Sequence, residues 1–208
     1  MTEVTEHHDR HDRYDATTAL VVVDVQNDFA DPEGGLYVSG GDAVVPLVNE
    51  QITAARAAGA TIVFTQDWHP PETPHFAKDG GVWPTHCVRD TWGAELHPSV
   101  VVPDGAAVVR KGVDGSDGYS GFSVRDPVSG ERSATELGRI LEEAGTRRVV
   151  VVGLAGDVCV KETALDAVRL GFATTVPRST TRMVELSAGD GERAMADLRD
   201  AGAEVPEG

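Results

Sequence analysis

The segment RRVVVVGLAGDVCVKETALDAVRLG, residues 147–171, decides the fold class of this chain. Its first eight residues contain four consecutive valines, a run typical of a strand that is buried on both faces. The residues from Asp157 onward indicate a helix that ends at Gly171. A buried strand followed directly by a helix indicates a β-α-β unit, in which the strands are parallel.

The same alternation continues on both sides of this segment. We predict further strands at 18–25, 60–66, 106–111, 172–177 and 203–205, and further helices at 41–59, 133–145 and 187–202. Ser133 and Glu136 match the capping-box pattern of a helix start. Because right-handed crossovers place helices on both faces of a parallel sheet, we predict an α/β fold of three layers with a mostly parallel six-stranded sheet.

The composition excludes several classes of partner. The 208 residues include 34 acidic and 18 basic side chains, a net charge of −16. Nucleic acid and anionic membranes both require a basic surface, so we expect neither as a partner. No apolar run is long enough to span a bilayer. A small-molecule substrate is therefore expected, and a homo-oligomer is compatible with the composition.

The N-terminal region is predicted to be a polar, flexible tail over residues 1–17, followed by one domain over 18–208. It lacks the apolar segment of a signal peptide. Two cysteines cannot form a disulfide framework, so we expect a cytoplasmic protein. The tract HHDRHD at 7–12 could bind a metal, but a solvated chain end is the favoured interpretation.

Reactive side chains follow four of the predicted strands. They are Asp24, Asp67 with His69, Lys111, and Cys159. Because the carboxyl ends of parallel strands lie at one edge of the sheet, where ligands bind, we expect these groups to converge. The apolar surroundings of Asp24 make a charged partner necessary, and Lys111 is the plausible one.

The role of Cys159 is left open by its position alone. A thiolate is the reactive form of cysteine, and a helix N-terminus and a cation such as Lys111 would lower the pKa of this thiol. A buried structural cysteine would fit the same position. The second cysteine, Cys87, could be a ligand or a packed side chain.

A metal site is indicated by Asp67 and His69, whose side chains point to one side of an extended chain. His75 and His86 follow in the same long loop, 67–98, whose prolines and tryptophans indicate order. Carboxylate and imidazole ligands suit zinc, iron or manganese. We therefore predict one divalent transition metal, with zinc as the first choice.

Five motifs in this order resemble the nicotinamidase branch of the isochorismatase-like cysteine hydrolases, over residues 18–205. They are DVQNDF at 24–29, QDWHP at 66–70, WPTHCV at 83–88, KG at 111–112 with YSGF at 119–122, and GLAGDVCVKETALDA at 153–167. The resemblance implies a Rossmann-like topology and hydrolysis of nicotinamide to nicotinate and ammonia through a thioester, with pyrazinamide as a further substrate.

The resemblance also implies roles for individual residues. The nucleophile would be Cys159, the acid/base Asp24 and the catalytic lysine Lys111. The oxyanion would be held by the backbone N–H groups of Ala155 and Cys159, with a cis peptide bond between Leu154 and Ala155. The implied metal ligands are Asp67, His69, His86 and His75, and the implied walls of the substrate pocket are Phe29, Trp83 and Tyr119.

The chain departs from the family pattern next to the nucleophile, where AGDVCV replaces ATDYCV or ATDHCV. Gly156 and Val158 at these positions leave the substrate less certain than the chemistry. An alternative is the hydrolysis of another small amide, carbamoyl or ureido compound. A nucleotide-binding module is disfavoured, because the chain lacks the G-x-G-x-x-G turn that such a module requires.

Overall fold

The computed structural model describes residues 14–207. Within these residues the strands are β1 (Thr18–Val23), β2 (Thr61–Asp67), β3 (Ala107–Lys111), β4 (Ser123–Arg125), β5 (Arg132–Ala134), β6 (Arg148–Leu154), β7 (Ala173–Thr175) and β8 (Thr181–Arg182). The α-helices of the same range are α1 (Asn27–Ala30), α2 (Val44–Ala57), α3 (Leu137–Glu143), α4 (Cys159–Arg169) and α5 (Asp190–Ala201).

The main sheet has six strands in the order β3-β2-β1-β6-β7, with β8 also paired to β6. All of its pairings are parallel. Side chains alternate across the sheet, so β1 contributes Leu20 and Val22 to one core cluster and Val21 to the other. Helix α2 covers the first face, whereas α3, α4 and α5 cover the second. The predicted three-layer α/β architecture is confirmed.

Two details of the prediction are wrong. The sixth strand is β8, not residues 203–205, where only one bridge between Thr175 and Glu204 forms. Pro206 follows directly and has no N–H with which to extend the pairing. The capping box is also absent, because Ser133 belongs to the hairpin β4–β5, and the Thr135 hydroxyl instead accepts a hydrogen bond from the Leu137 N–H at 3.1 Å.

Most of the tail predicted for 1–17, including the histidine tract, lies outside the described residues. Of its last four residues, Tyr14 is buried, whereas Asp15, Ala16 and Thr17 are exposed. The Tyr14 side chain belongs to the core cluster, and its hydroxyl donates a hydrogen bond to Gln51 at 2.7 Å. None of the helices within 14–207 has the length and apolar character needed to cross a membrane.

Close packing between β1 and β6 fixes the edge of the sheet where the polar residues lie. Gly153 has a φ of +112°, and a Cβ there would lie 2.1 Å from the Val23 carbonyl oxygen. Only glycine permits this approach. Asp24 follows β1 directly and also has a positive φ, of 48°. The backbone thus turns sharply where its carboxylate leaves the sheet.

Candidate active site

The carboxyl ends of four adjacent strands bring the predicted catalytic groups together. Asp24 follows β1, Asp67 ends β2, Lys111 ends β3, and Cys159 begins the helix that follows β6. One carboxylate oxygen from each aspartate and the Cys159 sulfur all lie within 4.8 Å of one another. These side chains therefore converge at one edge of the sheet, as expected.

Lys111 is the centre of this cluster. Its ammonium is fully buried and donates hydrogen bonds to Asp24 at 2.7 Å, to Asp67 at 2.5 Å and to the Gly118 carbonyl at 2.5 Å. The same nitrogen lies 3.9 Å from the sulfur of Cys159. Three acceptors thus satisfy the three donors of a buried ammonium, which would otherwise be very costly to bury.

Burial sets the protonation of the nucleophile and its neighbour. Burial raises the pKa of the Cys159 thiol well above its usual value, although Lys111 opposes this shift. Lys111 lowers this pKa as expected, but desolvation of the thiolate is the larger effect, so the net shift is upward. Burial also raises the pKa of Asp24, to about 6, with Lys111 again opposing. A protonated thiol thus lies beside a carboxylate whose pKa suits a base near neutral pH.

Three histidines form a second cluster beside the first. The imidazoles of His69, His75 and His86 are buried, and one ring nitrogen of each lies within 4.8 Å of the others. The second carboxylate oxygen of Asp67 lies 3.9 Å from Nε2 of both His69 and His86. All four predicted metal-ligand side chains therefore converge.

These side chains fit a cation chemically. The Nδ1 of His86 lies 2.7 Å from the Pro84 carbonyl, and the Nδ1 of His75 lies 2.7 Å from Asp117. Each partner is an acceptor, so each Nδ1 carries a proton, and Nε2 is the nitrogen of these two rings that is left to bind a metal. Both ring nitrogens of His69 are buried and have no hydrogen-bond partner within residues 14–207. Burial lowers the pKa of His69 to about 3, so this ring is neutral. A neutral imidazole without a partner, beside two further imidazoles and a carboxylate, suits zinc and similar divalent metals.

A pocket joins the thiol to the histidine cluster. The residues around it are Phe29, Leu36, Asp67, His75, Trp83, His86, Gly118, Tyr119, Ala155, Val158, Cys159 and Val184. The three predicted wall residues Phe29, Trp83 and Tyr119 are all among them, and the Trp83 indole N–H donates to the Tyr119 hydroxyl at 2.9 Å. The Leu154–Ala155 peptide bond is cis, as the resemblance implies.

Gly156, one of the two departures from the family motif, is explained by packing. A Cβ at this position would lie 2.5 Å from the sulfur of Met183. The thioether therefore occupies the space that a larger residue would need. Val158, the other departure, lines the pocket itself.

Several residues that contact the site were not predicted from the sequence. The Thr65 hydroxyl donates to Asp24 at 2.6 Å, and Gln26 bonds the backbone of Asp67 in both directions at 2.8 Å. Their positions next to strand ends are the signal that could have identified them.

Cys87 is a packed side chain whose sulfur faces the Gly93 carbonyl. Arg110, the residue before Lys111, stacks on the Trp68 ring, with its guanidinium carbon 3.7 Å from the ring centroid.

Comparison with known proteins covers nearly the whole described chain. Residues 18–207 match the Isochorismatase domain. The nicotinamidase of Escherichia coli (strain K12) is 36% identical over 201 residues, covering 89% of this chain and 92% of that protein. The pyrazinamidase of Pyrococcus horikoshii in complex with zinc is 38% identical, with a TM-score of 0.81, covering 91% of this chain and 98% of that one. PnC1 from L. infantum in complex with nicotinate is 36% identical, with a TM-score of 0.82, covering 92% and 93%.

Proposed function

This chain belongs to the isochorismatase family, and on that premise we propose that it is an amidohydrolase that converts nicotinamide to nicotinate and ammonia. Pyrazinamide, which is nearly isosteric, is a second substrate. One observation carries the proposal: the Cys159 thiol, beside the buried ion pair of Lys111 and Asp24, lines the same pocket as Asp67, His75 and His86. A thiol nucleophile supplies the amide chemistry, and the histidine cluster supplies a place to hold the ring.

The reaction begins with a proton transfer. Asp24 takes the proton of the Cys159 thiol, and the Lys111 ammonium, 3.9 Å from the sulfur, stabilises the thiolate that forms. The thiolate then attacks the carboxamide carbon. The backbone N–H groups of Ala155 and Cys159, both at the pocket wall, hold the oxyanion. Lys111 is the only one of these groups that keeps its charge throughout.

Collapse of the tetrahedral species breaks the carbon–nitrogen bond. Asp24 returns the proton to the departing nitrogen, which leaves as ammonia, and a thioester remains on Cys159. Asp24, again a carboxylate, then takes a proton from water, whose oxygen attacks the thioester carbon. The carbon–sulfur bond breaks, the proton on Asp24 restores the thiol, and the nicotinic acid formed loses its proton to solvent and leaves as nicotinate. A carboxyl pKa of about 6 permits both directions of transfer.

Asp67, His69, His75 and His86 would hold one divalent transition metal, with zinc favoured over iron and manganese. Bound there, the metal supplies a Lewis acid that can anchor a pyridine nitrogen. Phe29, Trp83 and Tyr119 enclose the ring with aromatic surface. Together these residues orient a flat heteroaromatic amide toward Cys159.

Ammonia release from a panel of amides tests this function. Purified protein loaded with zinc is expected to release ammonia from nicotinamide and pyrazinamide. It should act at least about a hundredfold less efficiently on benzamide, which lacks the ring nitrogen and leaves the polar site unpaired. Small carbamoyl and ureido compounds serve as the comparison. Faster turnover of a carbamoyl or ureido compound than of nicotinamide would refute the proposal.

Removal of the metal is expected to lower both activity and stability. Without a cation, the buried acceptor atoms of the four proposed ligands Asp67, His69, His75 and His86 face one another, and nothing compensates for their lost hydration. A chelator should therefore abolish nicotinamide hydrolysis. Returning zinc at a thousandfold excess over its dissociation constant should raise the free energy of unfolding by about 4 kcal/mol.

Thermal unfolding with and without zinc measures this effect. His97→Ala is the matched control, because His97 lies outside the histidine cluster and its ring accepts a hydrogen bond from the Ser99 N–H. This variant should respond to zinc as the parent does, whereas His69→Ala should not. Full activity in metal-free protein would contradict the prediction.

A further inference from the structure

The loop before Tyr119 contributes a carboxylate that the reaction steps do not use. Asp117 Oδ1 lies 2.7 Å from Nδ1 of His75, and the side chains of these two residues are 13% and 4% exposed. Asp117 does not itself belong to the group of described residues whose ligand atoms converge with the histidines. Its carboxylate therefore approaches the cluster from behind His75.

The backbone holds Asp117 in this position from both sides. Its N–H donates to the Arg125 carbonyl at 2.7 Å, and its carbonyl accepts from the Arg125 N–H at 3.0 Å. This isolated bridge ties the residue to the hairpin β4–β5. The next carbonyl, that of Gly118, accepts from the Lys111 ammonium. Asp117 is thus fixed relative to both clusters.

The three histidines differ in what lies behind them. His86 bonds a neutral carbonyl, and neither ring nitrogen of His69 has a hydrogen-bond partner in the described part of the chain. His75 is the one described member of the cluster with a carboxylate on the far side of its ring. A carboxylate that accepts from a ligating imidazole fixes its tautomer and orientation and raises its basicity toward a metal.

We propose that Asp117 is a positioning residue that makes His75 a strong metal ligand, and so sets the affinity and coordination number of the metal site. The inference rests on the metal site of the proposed function but not on the substrate. His75 also stacks on His69, with ring centroids 4.6 Å apart, so fixing one ring constrains the other. Asp117 acts through His75 and touches neither thiol nor substrate.

Competition with a chromophoric chelator measures the effect as a zinc dissociation constant. Asp117→Ala is expected to weaken zinc binding 10- to 100-fold, the range for lost partners of ligating histidines. Asp117→Asn keeps an acceptor oxygen without the charge, so its loss should be smaller. Asp114→Asn is the matched control, since Asp114 lies in the same loop but its carboxylate accepts from the N–H and hydroxyl of Ser116 rather than from a histidine. It should bind zinc as the parent does.

The visible spectrum of the cobalt-substituted protein provides a second measurement. Loss of His75 as a ligand should change the intensity of the cobalt bands in Asp117→Ala and leave them unchanged in Asp114→Asn. Metal-free unfolding of each variant separates this effect from a folding defect. If Asp117→Ala does not fold, the zinc affinity of Asp117→Asn decides.

Zinc affinity within twofold of the parent in the decisive variant would overturn the inference, as would an equal loss in Asp114→Asn. The zinc dissociation constants are measured without nicotinamide, so they do not depend on the proposed substrate. A parent protein that binds zinc in an Asp117-dependent way but releases no ammonia from nicotinamide would refute the proposed function and leave this inference standing. A parent protein that releases ammonia from nicotinamide but binds zinc independently of Asp117 would refute this inference and leave the proposed function standing.

Discussion

Replacement of Cys159 by alanine is expected to reduce nicotinamide hydrolysis by about 10⁵-fold. In a covalent mechanism the thiol forms the intermediate, and removal of a nucleophile leaves only what binding and the oxyanion donors supply. The variant keeps the backbone N–H groups of residues 155 and 159, and it keeps Asp24 and Lys111. The measurement is ammonia release under substrate saturation. Because the thiol is small and buried, the variant should fold normally.

Cys87→Ala is the matched control for this prediction. Cys87 is the other cysteine of the chain and is also buried, but its sulfur contacts the Gly93 carbonyl, whereas the Cys159 sulfur lies beside Lys111. The control should retain most of its activity. Activity in Cys159→Ala within tenfold of the parent, or comparable loss in both variants, would remove Cys159 from the role of nucleophile.

Replacement of Lys111 by methionine is expected to impair stability and activity together. It leaves Asp24 and Asp67 as two buried carboxylates without their cation. This should lower the free energy of unfolding by about 3–5 kcal/mol. Activity should fall by at least about 10³-fold, because the thiolate loses its neighbouring charge. Denaturant unfolding and ammonia release measure the two effects. Lys78→Met, at an exposed lysine paired with Asp79, should change stability by less than about 1 kcal/mol.

A second substitution separates the two effects of Lys111. The double variant Lys111→Met with Asp24→Asn carries one uncompensated buried charge fewer than the single variant. It should therefore be more stable than Lys111→Met alone, since neighbouring sites are not additive. Its activity should not recover, because the base is gone as well. Equal stability of the single and double variants would show that the ammonium does not compensate Asp24.

The sequence predicted the fold well where hydrophobic burial decides the structure. The valine run of β6 and the apolar residues of β1 can only lie in the middle of a sheet. Prediction failed where local hydrogen bonds decide, as at Ser133, which pairs in a hairpin rather than capping a helix. The two-residue strand β8 has no period long enough to reveal it.

The site could be predicted as a set of strand-end residues, but its protonation could not. The sequence places Cys159 at a helix N-terminus near Lys111, which favours a thiolate. The depth of burial, which raises the thiol pKa, depends on the packing of the whole pocket. The contact between Asp117 and His75 joins two loops 42 residues apart, and no local pattern marks such a pair.

Mass spectrometry of protein quenched in acid during the first turnover of nicotinamide tests the central claim most directly. The mechanism predicts a nicotinoyl group on the peptide that contains Cys159, which rises and then decays as nicotinate appears. The Cys87 peptide of the same sample should remain unmodified. Formation of nicotinate through the first turnover without acylated Cys159, or with the acyl group on another residue, would contradict the account.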